Sequence, residues 1–262
     1  MIRTNYHTHT RLCRHADGMP LDYVARAVER GYREIGISDH GPLLDEWRYR
    51  MTNREFYEEY LPGIAEAEKQ YGDAIKIYRG LEIEYHPGFH HHYERLRKDL
   101  DYLILGQHII FFGLHYRDVY DYLTDEDIAR YRDEVIAAMY TGYFKMIAHP
   151  DIYMFARLTW DKAAEEVARA IIAAAIVNDV ILEINANGIR RKPIQIKDGV
   201  WRYIYPRYEF WEVVKGYPEA KVIIGEDNHT PKSVGDTAGL KARSFAAGLG
   251  LKPQLYLFGS KT

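Results

Sequence analysis

The sequence predicts an α/β protein closed into one parallel barrel of alternating strands and helices. Seven short apolar or β-branched segments, each bounded by Gly, Pro, Asp or Asn, read as buried strands. Stretches with helical spacing lie between them, and alternation of this kind belongs to a parallel sheet with helical crossovers. No Pro/Gly/Ser-rich linker divides the chain, so residues 1–262 are expected to form a single domain. With 262 residues, 47% of them hydrophobic, a full core can be buried.

In chain order, the strands are read at Arg3 to Tyr6, Glu34 to Ser38, Ile75 to Ile83, Tyr102 to Leu105, Lys145 to Ala148, Val180 to Ile184 and Lys221 to Ile224. Helices are read at Leu21 to Arg30, Arg54 to Tyr71, Asp125 to Tyr140, Asp161 to Val177 and Tyr208 to Lys215. Many of the 23 tyrosines, such as Tyr57, Tyr60 and Tyr71, fall at helical spacing and are assigned to packing. The tract His90-His91-His92 follows Pro87-Gly88 at a helix start and is assigned to solvated surface.

Composition excludes several classes. The formal charge is −3 with basic and acidic residues interspersed, so no footprint for a nucleic-acid backbone is present. The single cysteine, Cys13, rules out an internal disulfide framework and thiolate-rich zinc sites. The longest apolar runs, such as Ile171 to Val177, are too short to span a bilayer, and the start Met1-Ile2-Arg3-Thr4-Asn5-Tyr6-His7 lacks a basic segment followed by an apolar one. A cytoplasmic protein is expected.

Histidine is the anomaly. Of 12, most of those outside the His90 tract sit directly after an expected strand: His7 and His9 after the first, His40 after the second, His108 after the fourth, His149 after the fifth and His229, with Asp227, after the seventh. Glu82 lies late in the third strand, and His15 on the loop after the first. Because the carboxyl ends of parallel barrel strands open on one face, these residues are expected to converge. His7-Thr8-His9 and Asp227-Asn228-His229 each place two donors on one side of an extended chain. Asp39 is a candidate to orient a ligating imidazole. Glu82, flanked by apolar residues, needs a cation to stay ionised in a buried strand.

Seven histidines plus Glu82 and Asp227 exceed the needs of one tetrahedral ion, so two or three divalent ions are implied, and imidazole-rich, thiolate-free ligation suits zinc, iron or manganese. No nucleophile-elbow, dinucleotide-loop or Walker sequence is present, which leaves water as the nucleophile and metals with cationic side chains to hold phosphate.

With these residues assembled, the chain resembles the polymerase and histidinol phosphatase (PHP) superfamily, within it the monofunctional histidinol phosphatases. The resemblance is carried by His7-Thr8-His9-Thr10, Cys13-Arg14-His15-Ala16, Ser38-Asp39-His40, Gly80-Leu81-Glu82, Tyr85-His86-Pro87-Gly88-Phe89, Ala148-His149-Pro150-Asp151, the segment Glu183 to Arg190 and Asp227-Asn228-His229-Thr230-Pro231. It implies a distorted seven-stranded (β/α) barrel with a trinuclear site. His7, His9, Glu82 and Asp227 would hold one ion, Glu82 would bridge to a second held by His108 and His149, and His15, His40 and His229 would hold the third. The chain departs from the family in Gly225-Glu226-Asp227-Asn228-His229, where Gly-Ser-Asp-Ala-His is usual, and in the shortened Gly106-Gln107-His108.

The expected reaction is hydrolysis of a phosphate monoester, L-histidinol phosphate, by attack of a metal-activated hydroxide on phosphorus. Arg157 and Arg190 are candidates to clamp the phosphate, Glu84 to support a ligand from behind or, like Glu226, to meet the substrate ammonium, and Asp227 or His229 to assist proton transfer to the leaving group. A nuclease or general phosphoesterase, an amidohydrolase and a metal-binding module without turnover stand as competing readings.

Overall fold

The computed structural model describes residues 3–43, 49–113, 115–195 and 199–259. In chain order the elements open with β1 (Arg3–Asn5), α1 (Pro20–Glu29), β2 (Tyr32–Ile37), α2 (Asn53–Glu55), a π-helical turn (Phe56–Tyr60), α3 (Leu61–Tyr71), β3 (Lys76–Ile83), α4 (His90–Leu96) and β4 (Tyr102–Leu105). The middle of the chain forms β5 (Ile109–Phe112), β6 (His115–Asp118), α5 (Asp125–Tyr140), β7 (Phe144–Ile147), α6 (Lys162–Val177), β8 (Ile181–Asn185) and α7 (Ala186–Arg190). The chain continues with β9 (Ile194–Gln195), β10 (Trp201–Arg202), α8 (Tyr208–Lys215), β11 (Val222–Gly225) and α9 (Thr237–Gly248).

Seven strands form one all-parallel sheet in the order β1-β2-β3-β4-β7-β8-β11. These are the seven strands expected from the sequence, each displaced by no more than two residues at either end. The fold is a nearly closed, distorted TIM-like barrel. The structure adds the antiparallel hairpin β5-β6, inserted directly after β4, the short hairpin β9-β10 and the helices α7 and α9.

Period-two alternation divides the core. In β4, Leu103 and Leu105 face the surrounding helices, whereas Tyr102 and Ile104 face inward with Met146, Ile181, Ile223 and Leu257. Further along, the same inward parity carries Glu82 on β3 and Glu183 and Asn185 on β8, all buried. The barrel interior is therefore apolar in one half and polar towards the carboxyl ends.

Helix starts are fixed by side-chain caps. Thr124 and Asp127 form a reciprocal capping box on α5, Asp161 caps α6 through Ala164 N at 3.0 Å, and Asp236 caps α9 through Ala238 N at 2.8 Å.

The seam between β11 and β1 has no strand ladder among the described residues. A single bridge, Thr8 to Asn228, joins them, with His9 N donating to Asn228 O at 2.9 Å. Asn5 completes the join: its Nδ2 donates to Asn228 Oδ1 at 2.9 Å and its Oδ1 accepts from Glu226 N at 2.9 Å.

Candidate metal centre

The strands deliver their histidines to one rim. His9, His15, His40, Glu82, His108, His149, Asp227 and His229 all line a single cavity of about 760 Å³, and His7 lies buried beneath it. His7 and His9 are brought together by backbone alternation just past β1, their Nε2 atoms 3.0 Å apart. His149 and Asp227 reach the cluster through left-handed backbone, φ 31° and 48°, a conformation that costs roughly 1–2 kcal/mol for a residue with a Cβ. Two of the five described non-glycine residues with positive φ are thus donors of this centre, a placement consistent with strain held for function.

Glu82 is the hub. Its Oε2 lies 3.3 Å from His7 Nε2, 3.4 Å from His9 Nε2 and 3.1 Å from His40 Nδ1. Its Oε1 faces the other way, 3.1 Å from His149 Nε2 and 3.6 Å from His108 Nε2. Asp227 Oδ1 lies 3.1 Å from His9 Nε2 and 3.2 Å from His229 Nδ1.

Among the described residues, three sets of donors, each with its atoms within 4.8 Å of one another, share this centre: His7-His9-Glu82, His9-His40-His229 and His40-Glu82-His108. His15 stands beside the second set, its ring centroid 4.9 Å from that of His229 and 5.3 Å from that of His40. A fourth set, His9-Cys13-Asp39, is already saturated by the protein. Burial pushes the Cys13 thiol pKa up, its Sγ lies 3.1 Å from Thr10 O, and Asp39 accepts from Thr10 Oγ1 and from His40 N.

The far sides of the rings are held in place. Nδ1 of His7 lies 2.7 Å from Glu183, Nδ1 of His9 3.3 Å from Asp39, Nδ1 of His15 2.8 Å from Cys13 O and Nδ1 of His108 3.0 Å from Glu84. Engaging one ring nitrogen fixes the tautomer and directs the other, as a lone pair, towards the centre.

The electrostatics call for cations. Burial would raise the pKa of Glu82 and Asp227, yet the surrounding imidazoles, His7 foremost, hold both well below the usual carboxylate range. Burial likewise disfavours charge on His7 and His9, but nearby carboxylates outweigh it: Glu183, Asp227 and Glu82 raise His7, and Asp227 and Asp39 raise His9. Burial, together with the Arg50 charge, keeps His40 well below its ordinary value, and burial with His9 and His229 lowers His15 to about 4. A protein-only cluster thus needs protons on some rings to neutralise its acids while other rings reject them. Buried Glu82 Oε1 and Asp227 Oδ1 make no hydrogen bond, and such atoms cost about 1–3 kcal/mol each when left unpaired. Divalent ions resolve both conflicts, and the nitrogen- and oxygen-rich donor set fits zinc, iron or manganese.

Four residues assigned to substrate from the sequence stand elsewhere. Arg157 is buried and ties Leu123 O, Asp125 and Asp161 together, joining the starts of α5 and α6. Arg190 binds Asp236 at 2.8 Å and the carbonyls of Glu226 and Asp227 at 2.5 and 3.4 Å, buttressing the loop that carries Asp227. Glu84 is buried between Arg50 and His108, and Arg50, the largest influence opposing the effect of burial, brings its carboxyl down to about 2. Glu226 accepts from the Tyr32 hydroxyl and from Gly235 N at 3.0 Å, and lines a separate crevice. None of the four lines the cavity.

Other cavity residues escaped the sequence reading. Arg50 and Arg191 are its arginines among the described residues, and Asp118, Tyr116 and Tyr120 enter from the β5-β6 hairpin and the turn after it. The pattern Ile109-Ile110-Phe111-Phe112-Gly113 was a visible strand-and-turn signal. The unusual residues Glu226 and Asn228 both turn away from the cavity, Asn228 to Ser233 and Asn5. Gln107 is pinned by Tyr85 N at 2.8 Å and Glu134 at 3.0 Å, so the shortened segment still delivers His108.

A parallel barrel with convergent imidazoles and carboxylates at its carboxyl rim defines a metal-dependent hydrolase. The chain belongs to the PHP domain family, whose profile matches residues 5–187. It is 25% identical over 250 residues to a Deinococcus radiodurans protein named a probable histidinol-phosphatase, covering 87% of each chain. It is 24% identical over 242 residues to the Escherichia coli K12 probable phosphatase YcdX, covering 90% of this chain and 82% of that one. In fold it matches the crystal structure of histidinol phosphate phosphatase (HISK) from Lactococcus lactis, complexed with zinc, L-histidinol and phosphate. The TM-score is 0.72 at 20% identity, with 96% of this chain and 95% of the other covered.

Proposed function

We propose that the chain is a metal-dependent phosphomonoesterase acting on L-histidinol phosphate, releasing L-histidinol and inorganic phosphate. The observation that carries the hydrolytic reading is the division of Glu82 between two groups of imidazoles. A carboxylate with one oxygen towards His7, His9 and His40 and the other towards His108 and His149 is placed to join two cations. The relatives' names supply the choice of substrate.

His7, His9, Glu82 and Asp227 would hold one ion, Glu82, His108 and His149 a second, and His15, His40 and His229 a third. Such ions, when bound, lower the pKa of water to about 7 and neutralise phosphoryl oxygens. The chain's own residues do the rest. Arg191 faces the cavity with its guanidinium over the rings of Phe155, 5.3 Å, and Tyr205, 5.9 Å; it bonds the Tyr205 side chain and makes no ion pair among the described residues, leaving its remaining donors for a phosphate oxygen. Asn187 offers an amide from the start of α7. His229 and Asp227, engaged with the ions and with each other, would have no proton to spare, so the leaving alkoxide oxygen would take its proton from water at the rim, where His229 is partly exposed.

Phosphate release from L-histidinol phosphate, measured beside a panel of other phosphomonoesters and nucleotides with metal content determined on the same sample, tests the proposal. Preference for L-histidinol phosphate by at least about tenfold is the expected result. Equal or better hydrolysis of another ester would replace the substrate and leave the chemistry; no hydrolysis by metal-loaded protein would remove both.

A further inference from the structure

Among the described residues three carboxylates line the cavity: Glu82, Asp227 and Asp118. The first two are enclosed by imidazoles, as described above. Asp118 is not. It ends β6, paired across the hairpin with Ile109, and the next residue donates its backbone N–H to His108 O at 2.9 Å. The hairpin is thereby anchored to the backbone of a donor histidine, which places Asp118 beside the reacting centre without joining it.

Its charge is left available. Among the described residues Asp118 has no ion pair, and its one hydrogen bond is to Tyr120 N, 2.8 Å from Oδ1. The adjacent Arg117 is drawn away to Asp127, so it does not neutralise Asp118. Aromatic surface flanks the carboxylate. Tyr120 stacks on His108 with ring centroids 6.2 Å apart, and Tyr116, on the same strand as Asp118, is 62% exposed at the cavity mouth. A lone carboxylate among tyrosine rings suits an alkylammonium, which gains a charge-assisted hydrogen bond and cation–π contact together.

We infer that Asp118 determines specificity by binding the ammonium of the leaving alcohol, so that the site selects phosphate monoesters of amino alcohols. The inference rests on the phosphomonoesterase reading above and assigns the substrate ammonium to a residue on the hairpin. Asp118 touches the part of the substrate that leaves, while Arg191 and the donor cluster serve the phosphoryl end.

The test is a ratio. The value of kcat/KM is measured for L-histidinol phosphate and for its des-amino analogue, 3-(imidazol-4-yl)propyl phosphate, on wild type, Asp118→Asn and Asp118→Lys. A ratio is insensitive to partial loss of folded protein. Wild type should favour the amino ester by about 10- to 100-fold, the range of one charge-assisted contact. Asp118→Asn, which keeps the acceptor for Tyr120 N, should bring the ratio close to one, and Asp118→Lys should invert it. An unchanged ratio in Asp118→Asn, with both esters still hydrolysed, would overturn the role of Asp118 and leave the phosphomonoesterase reading intact. Failure of metal-loaded wild type to hydrolyse either ester would overturn both.

Discussion

Glu84 Oε1 stands 3.0 Å from His108 Nδ1, and Arg50 grips both oxygens of the same carboxylate, its Nε 3.2 Å from Oε2. An arginine of the cavity wall therefore sets the orientation of a donor imidazole through one buried acid. Replacing that acid with its amide, Glu84→Gln, should lower metal affinity about 10- to 100-fold, the usual cost of losing an outer partner of a ligating histidine. Metal content after dialysis against a graded chelator, with circular dichroism to confirm folding, measures it.

Gly106 is required by Glu82. A Cβ at this position would sit 2.3 Å from Glu82 Oε1 and 2.5 Å from its Cγ and Cδ, so Gly106→Ala must displace the hub carboxylate. A shift of about 1 Å in a reacting constellation costs on the order of 100-fold in rate. That loss, read in kcat with the protein still folded, is the expected outcome.

Removing the ions should be reversible and visible in stability. Chelation is expected to abolish phosphatase activity and lower Tm, because the buried acids Glu82 and Asp227 then face one another's imidazoles without compensating charge. Adding back zinc, manganese or ferrous iron at about 100 times Kd should restore roughly 2.7 kcal/mol per independent site. A Tm indifferent to both treatments would exclude the cluster as a cation site.

Arg190 and Arg191 should separate cleanly. Arg191→Ala is expected to reduce kcat/KM for a phosphomonoester about 10- to 100-fold by removing a charged donor to phosphate. Arg190→Ala, which frees Asp236 and the carbonyls of the Asp227 loop, should chiefly lower Tm. Thermal melts and steady-state kinetics on both variants distinguish the roles.

Acid sensitivity has a marked contributor in Asp161. Burial raises its pKa, but the Ala164 N–H and Arg157 overcome this and leave it below the usual value. A depressed folded-state value contributes stability above about pH 4, where the unfolded-state carboxylate is also ionised, and that contribution disappears as the pH falls through the folded value. Asp161→Asn should therefore melt below wild type at neutral pH, with the difference narrowing as the pH falls below about 4.

The barrel and its donors were legible because both follow from periodicity: apolar runs of four to eight residues announce strands, and histidines directly after them share one rim. Glu82 and Glu84 illustrate where this stops. They have the same parity on the same segment, yet one sits at the centre of the imidazole cluster and the other behind His108, held by an arginine that only tertiary packing brings near. Arg190 and Arg191 show the same limit, since the first ends α7 and the second follows in extended backbone, so the two side chains diverge at a helix end that sequence does not locate. The β5-β6 hairpin was missed because it follows His108 without a helix between, where the alternation leads one to expect a crossover.

The seam between β11 and β1 makes the ring a clasp rather than a hoop. Asn5 and Asn228 meet across 223 positions of chain, and on either side of that junction sit His7 and His9 from one end and Asp227 and His229 from the other. Closing so long a loop is entropically costly, and few backbone bonds reward it here. Ions gripped jointly by both ends would supply the missing fastening: β1 is laddered to β2 and β11 to β8, so the arc from β1 to β11 lacks only this join, and the same ions would complete both the ring and the reacting centre. Slower amide exchange at His9 and Asn228 in the metal-loaded enzyme would be its signature.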